Sequence, residues 1–269
     1  MLPITFLSDY GHRDEYVGVC HGVIERIAPG ATVIDLTHGL PPQDVRAAAL
    51  ALRNALPYLP RGVHLAVVDP KVGTPRRPLV VRCHDGHQFV GPDNGLLWPA
   101  IEHCGGIEVA IDITHSPYRL EPVSATFHGR DLFAPVAARL ALETPIESAG
   151  SPISPEMVAR LEIPRATVRR REIAALVLAV DRFGNLQLNV GEDDLREAGF
   201  SQGDALAVQV GNERRRATLA RTFGDVPIGE AVLFEDSSRA IALALNGGSA
   251  AESLSAGPDV EVELKPWEE

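Results

Sequence analysis

At 269 residues, 45% of them hydrophobic, the chain has material for a substantial core and sits near the size at which chains divide into two domains. Its 25 basic residues against 36 acidic ones, a net charge of −11, argue against a general nucleic-acid or anionic-membrane binder. Three cysteines without CxxC spacing (Cys20, Cys83 and Cys104) read as reduced structural thiols of a cytoplasmic protein, neither a disulfide framework nor a zinc site. The start, Met1 to Phe6, has no basic leader and no long apolar segment, so secretion and membrane insertion are not expected.

The first half alternates strand-like and helix-like patterns. Pro3 to Ser8 reads as a strand, followed by a polar loop from Asp9 to Arg13. Tyr16, Val19, Cys20, Val23, Ile24 and Ile27 then fall at helical spacing. Thr32 to Leu36 is a short β-branched run, and Asp44 can cap the Ala- and Leu-rich segment that ends near Leu59. Gly62 to Val68, Leu79 to Cys83, Gln88 to Val90 and Gly106 to Ile111 supply further strands. This rhythm predicts an α/β domain over 1–150, with a largely parallel sheet flanked by helices.

The texture changes after Glu143. Pro145, Gly150, Pro152 and Pro155 punctuate a linker over 151–170, with a short helix expected near Pro155 to Leu161. Beyond it, short strands are expected at Ile173–Val180, Leu186–Asn189, Ala205–Val210, Glu230–Phe234, Ile241–Leu245 and Val260–Leu264. Turn residues such as Gly184-Asn185, Gly211-Asn212 and Gly247-Gly248 separate them. The reading is a smaller, β-barrel-like C-terminal domain over 171–269.

Chemistry concentrates just past strand ends. Asp69 follows the apolar run Val63 to Val68, where open α/β sheets place reactive groups, and Arg76 is close enough along the loop to fold back towards it. His128 lies in the polar stretch Thr126 to Asp131 that opens a helical segment. An Asp, an Arg and a His so placed could position and deprotonate water. Asp9 ends the first strand and could accept from both hydroxyls of a ribose, or simply cap a helix; Asp14 is equally a helix-start carboxylate. Asp181, Phe183 and Asn185 offer a carboxylate, a stacking face and an amide for a base edge, or an ordinary hairpin turn. Ser237 and Ser238, and Asn246 with Gly247, supply hydroxyls and open backbone N–H groups. GxGxxG, Walker A, GxSxG and HExxH patterns are absent, so no dinucleotide, P-loop, serine-hydrolase or metal motif is read here.

Six stretches in order resemble the family of S-adenosyl-L-methionine hydroxide adenosyltransferases, related to fluorinase and chlorinase enzymes. They are Phe6 to Gly11, Val68 to Arg76, Pro92 to Leu97, Phe127 to Asp131, Asp181 to Asn185, and Asn246 to Ala250. The resemblance implies an α/β domain followed by a β-barrel-like one. It also implies a homotrimer whose active sites lie between one subunit's N-terminal domain and its neighbour's C-terminal domain. The implied reaction is attack of water or hydroxide on C5′ of S-adenosylmethionine, giving adenosine and methionine, with no cofactor and no metal. By position, Asp69, Arg76 and His128 match the family's water-activating set, and Asp9 the ribose ligand. Asp14 and Asp181 fall near the methionine ammonium, Ser237 and Ser238 near its carboxylate. Phe183, Asn185, Asn246 and Gly247 fall by the adenine.

The halogenating relatives typically carry Tyr at the position of Asp69 and lack the His at 128, and their extra loop before the Pro92 motif is missing here; hydroxide is the better nucleophile. The alternatives are a halide-dependent 5′-halogenase and a non-catalytic adenosine or S-adenosylmethionine binder. Three positions depart from the pattern: Lys71 stands at a usual Gly, Asp93 at a usual Asn, and Arg239-Ala240 at a common Gly-Tyr.

Overall fold

A computed structural model describes residues 1–268 and divides the chain into two compact units, Met1–Glu162 and a second beginning at Ile163. The first unit holds seven strands: β1 (Ile4–Ser8), β2 (Val33–Thr37), β3 (Val63–Val67), β4 (Pro78–Cys83), β5 (Gln88–Pro92), β6 (Ile107–Asp112) and β7 (Ser151–Pro152). Its helices are α1 (Tyr16–Ile27), α2 (Val45–Ala55), α3 (Trp98–His103) and α4 (Ala134–Ala141). The sheet order is β2-β1-β3-β5-β4-β6-β7.

Period-two alternation sorts the strand residues onto two faces. Ile4, Phe6, Leu65 and Val67 pack with Cys20 and Ile24 of α1 and Val136 and Leu140 of α4. Leu7, Ala66, Val68 and Phe89 pack with Ala48 and Leu52 of α2 and Ala100 and Ile101 of α3. Burying each large side chain contributes ~1.5–3 kcal/mol, and both faces are covered, which is why β1 and β3 are apolar almost throughout. The capping expectation at α2 is met: Asp44 accepts from the Ala47 amide at 2.8 Å.

Pairing is parallel from β2 through β1 and β3 to β5. It turns antiparallel at β5–β4, β4–β6 and β6–β7. The sheet is thus mixed, with the expected parallel rhythm confined to the half that carries Asp9 and Asp69. Only residues 84–87 join β4 to β5, and so short a connection can return only as an antiparallel hairpin. Because Leu7 pairs with Thr37 and Ser8 with Val67, the chain leaves β1, β2 and β3 at one pole of the sheet. The helix expected over Pro155–Leu161 is a single 3₁₀ turn, Pro155–Met157.

The second unit contains β8 (Thr167–Arg169), β9 (Glu172–Val180), β10 (Leu186–Leu188), α5 (Glu192–Ala198), β11 (Ala205–Val210), β12 (Glu213–Leu219), β13 (Ala231–Glu235), β14 (Ile241–Leu245), α6 (Ala250–Leu254) and β15 (Glu261–Pro266). Its strands run β10-β14-β13-β12-β11-β15-β9, and β9 pairs back with β10, closing a seven-stranded barrel with β8 appended to β9. Ile173, Val177, Leu206, Val208, Leu233, Leu243 and Leu264 fill the interior. Among the described residues, no helix is long and apolar enough to cross a membrane.

Candidate active site

Asp69 leaves β3 at the pole where parallel strands end, and the loop behind it is folded tightly. Gly73 takes φ 76, and a β-carbon there would lie 2.6 Å from the Ala125 carbonyl oxygen, so glycine lets this loop touch the one leading to His128. Lys71 is not a left-handed position, so the departure from Gly at 71 costs the loop no strain. Arg77 grips Asp93 through Nε at 3.0 Å and Nη2 at 2.8 Å, while Asn94 donates to the Val68 carbonyl at 2.8 Å. The Pro92–Leu97 turn is therefore a brace for the Asp69 loop.

Arg76 folds back as its spacing suggested. Its Nε donates to both Asp69 oxygens at 2.9 Å, and its Nη2 donates to Asp69 Oδ2 and, at 3.0 Å, to His128 Nδ1. The Arg76 and Asp69 side chains are 5% and 7% exposed, so the pair is screened little by solvent. The guanidinium also lies 5.3 Å from the Phe133 ring centroid. A guanidinium has no acceptor, so Nδ1 of His128 must offer its lone pair, and the neutral ring then carries its proton on Nε2. Burial, with the Arg76 cation beside it, holds His128 below its ordinary value and keeps the ring neutral at neutral pH.

His128 stands at the entrance of a π-turn, Gly129–Phe133, that runs into α4. Asp131 in that turn is 3% exposed, is paired with Arg130 Nε at 2.6 Å and accepts the Ser124 amide at 2.8 Å, tying down the approach to His128. A β-carbon at Gly129 would overlap the Tyr10 hydroxyl, so Tyr10 comes up directly beside His128. Burial first, then the neighbouring Cys20, Asp9 and Asp69, push the Tyr10 phenol well above its ordinary value, so it remains an O–H. Sequence reasoning named the Tyr10 position only inside a motif; its contact with Gly129 is a long-range one that no local pattern carries.

Asp9 is half-buried and accepts the Gln43 amide at 2.8 Å. Asp14 is exposed and precedes α1, which begins at Tyr16. In the second unit Asp181 organises its own loop: Oδ1 accepts the Phe183 amide at 2.8 Å and the Asn185 amide at 2.9 Å, and Oδ2 accepts Asn185 Nδ2 at 2.7 Å. Phe183 is left 69% exposed at the tip. This loop meets the Asn246–Gly247 turn region, because the Ala251 amide donates to the Gly184 carbonyl at 2.9 Å. Asn246 itself donates to the Val226 carbonyl at 2.8 Å. Ser237 and Ser238 sit at the other end of β14, in a hairpin ordered by Asp236, which accepts the Ser238 amide at 2.7 Å and Gln187 Nε2 at 2.6 Å. Arg239 takes φ 65 there, the conformation for which a glycine is the usual choice.

The chain matches the family models described as SAM hydroxide adenosyltransferase N-terminal domain, over residues 4–150, and C-terminal domain, over 175–263. It is 46% identical over 255 residues to the (R)-S-adenosyl-L-methionine hydrolase of Salinispora tropica, covering 95% of this chain and 94% of that one. A fluorinase of Actinoplanes sp. is 29% identical, with 96% of each chain covered. An uncharacterised conserved protein of Thermotoga maritima, known from its crystal structure, superimposes with a TM-score of 0.91 at 36% identity, over 97% of this chain and 99% of that one.

Proposed function

The chain belongs to the SAM hydroxide adenosyltransferase family, and from that premise we propose that it hydrolyses S-adenosyl-L-methionine to adenosine and L-methionine by attack of water on C5′. The observation that carries the reading is the single hydrogen-bonded group formed by Asp69, Arg76 and His128. The 46% identity to a named hydrolase supports it further.

The water oxygen forms a bond to C5′ as the C5′–S bond breaks. The departing pair neutralises the sulfonium, and methionine leaves as a thioether. The water must lose one proton. His128 Nδ1 is taken by Arg76 and its Nε2 already bears hydrogen, so this ring donates to the nucleophile's oxygen and orients it. Asp69 retains lone pairs beyond those facing Arg76 and takes the proton. Bulk water, with a pKa of ~15.7, is a poor donor to a carboxylate; once C–O bond formation places positive charge on that oxygen it becomes a strong acid, and a weak base suffices. Arg76 holds both partners in place.

On the substrate side, Asp9 takes the ribose diol, Asp14 and Asp181 the ammonium, and Ser237 with Ser238 the carboxylate. Phe183 stacks on adenine, whose edge meets Asn185, Asn246 and Gly247. The working assembly is a cytoplasmic homotrimer with shared active sites, requiring no cofactor, metal or nucleic acid; mass measurement in solution tests the trimer.

The decisive experiment incubates the protein with S-adenosylmethionine in ¹⁸O-water, with and without chloride, and resolves products by chromatography and mass detection. Adenosine labelled at O5′, with methionine, is the expected result irrespective of chloride. A 5′-chloro product would move the protein to the halogenating relatives, and intact substrate would overturn the enzymatic reading.

A further inference from the structure

His21 on α1, Asp35 on β2 and His38 just past β2 converge at the pole of the sheet that carries Asp9. The Nε2 atoms of His21 and His38 lie 2.9 and 3.0 Å from the same oxygen, Asp35 Oδ1. All three donor atoms fall within 4.8 Å of one another. We propose that His21, Asp35 and His38 bind a divalent first-row transition-metal ion, a site separate from the Asp69–Arg76–His128 group and independent of the proposed hydrolysis.

The donor set and its spacing carry this. Two imidazoles and one carboxylate suit Zn²⁺, Ni²⁺, Co²⁺ or Fe²⁺ rather than Mg²⁺ or Ca²⁺. With metal–ligand bonds of ~2.1 Å, nitrogen–oxygen separations of 2.9 and 3.0 Å subtend about 90° at the ion. That is the angle between adjacent ligands of an octahedron, as two histidines and one carboxylate supply, with the remaining positions left to water. Those positions face solvent, since the His21 and Asp35 side chains are 35% and 43% exposed. His38 is the buried anchor at 1%.

The surroundings are built for a ligand histidine. Ser8 Oγ, wholly buried, lies 2.7 Å from His38 Nδ1. Here Nε2–H donates to Asp35 and Nδ1 accepts from the Ser8 hydroxyl; on metal binding the tautomer exchanges, Nδ1–H donates to Ser8 Oγ and the lone pair of Nε2 turns to the ion, the outer-sphere support that ligating histidines regularly have. A second group, Asp85, His87 and Cys104, is less suited, because hydrogen bonding with Cys83 and burial push the free Cys104 thiol far up, and it resists becoming a thiolate.

The test uses tag-free protein stripped with chelator and desalted. Ni²⁺, Co²⁺ and Zn²⁺ are titrated singly by calorimetry, with thermal unfolding in parallel. One ion per chain and a rise in Tm with metal concentration are expected, with the weak visible bands of six-coordinate Co²⁺. His21→Ala and Asp35→Asn each remove a ligand at a solvent-facing position and should abolish stoichiometric uptake in folded protein. Ser8→Ala leaves all three donors and should weaken binding roughly 10–100-fold. Failure of folded parent protein to take up any of the three ions at millimolar metal overturns the proposal. So does uptake unchanged in His21→Ala and Asp35→Asn, or uptake lost in Cys104→Ser instead.

Discussion

Replacing Arg76 with Lys keeps a cation beside Asp69 but removes the planar fork that joins it to His128. In the native arrangement Nε reaches both Asp69 oxygens at 2.9 Å while Nη2 reaches Asp69 and, at 3.0 Å, His128 Nδ1. A lysine carries its N–H groups on one atom at the end of a flexible stem and cannot span both partners. Keeping the Asp69 contact therefore forfeits the bond to His128, and the ring is free to turn or change tautomer. A hydrogen bond to a charged group contributes ~1.5–3 kcal/mol. At ~1.36 kcal/mol per tenfold in rate, kcat should fall by roughly 10- to 160-fold. KM for S-adenosylmethionine should change little, because the lost bond acts on the nucleophile. The assay is the initial rate of adenosine formation across substrate concentration, with Tm as the control for folding. A kcat close to that of the parent, or a loss confined to KM, would refute the role given to the fork. Arg76→Ala differs in kind: it strands a carboxylate that is 7% exposed, and breaking such a buried pair costs ~3–5 kcal/mol of stability.

His64 is fully buried, and burial, with His87 beside it, lowers its pKa from 6.5 to about 3. The unfolded chain therefore binds this proton first, so the contribution to stability is complete above pH ~6.5, is down by ~2 kcal/mol at pH 5 and continues to fall towards pH ~3; urea midpoints at pH 7 and 5 should differ less in His64→Gln than in the parent, and equal differences would sink the assignment. His128 also lies below its ordinary value, and protonating it sets an N–H on Nδ1 against the Arg76 N–H. The rate should thus be level above the usual histidine range and decline only at lower pH, with that acid limb gone from the residual activity of His128→Asn; an acid limb centred above the ordinary histidine value contradicts this. Phe183, 69% exposed, stabilises little in the free protein, so Phe183→Ala should leave Tm nearly unchanged. The same change should raise KM roughly 5- to 150-fold, from base stacking of ~1–3 kcal/mol; an unchanged KM removes Phe183 from the adenine contact.

What the sequence disclosed, it disclosed through short-range pattern. The unbroken apolar run from Val63 to Val68 located β3, and an Asp immediately after such a strand located the candidate nucleophile's partner, because the end of a buried strand is where a polar side chain first escapes the core. Arg76 was legible for the same reason, lying in the same loop. β12 was not: Glu213-Arg214-Arg215-Arg216 opens it with four charges, and only pairing with β11 and β13 makes that segment a strand. The antiparallel half of the first sheet was hidden too, since strand direction depends on partners and not on composition. Asp181 matched a binding position by motif, and its carboxylate also accepts from three N–H groups of its own loop, a folding of the turn that composition does not show, while keeping lone pairs for a further donor. Tyr10 and Gly129 are far apart in sequence, and their contact appears only once β1 and α4 share one core.

The same group that suits water is hostile to a halide. Unit charges 4 Å apart at an effective dielectric of ~20 repel by ~4 kcal/mol, so an anion placed against the Asp69 carboxylate starts at a disadvantage of about a thousandfold. Arg76 offsets that only in part, because its Nε and Nη2 hydrogens are already committed to Asp69 and His128. Water meets no such opposition: it donates to Asp69 and accepts from His128 Nε2–H, and the bond to Asp69 strengthens as its oxygen gains positive charge. The selection of nucleophile therefore lies less in the size of a pocket than in which lone pairs and hydrogens Arg76 leaves uncommitted. Substituting Asp69 alone would lift the repulsion without supplying the donors that a desolvated halide needs, so the step between hydroxide and halide chemistry calls for coordinated change at positions 69 and 128.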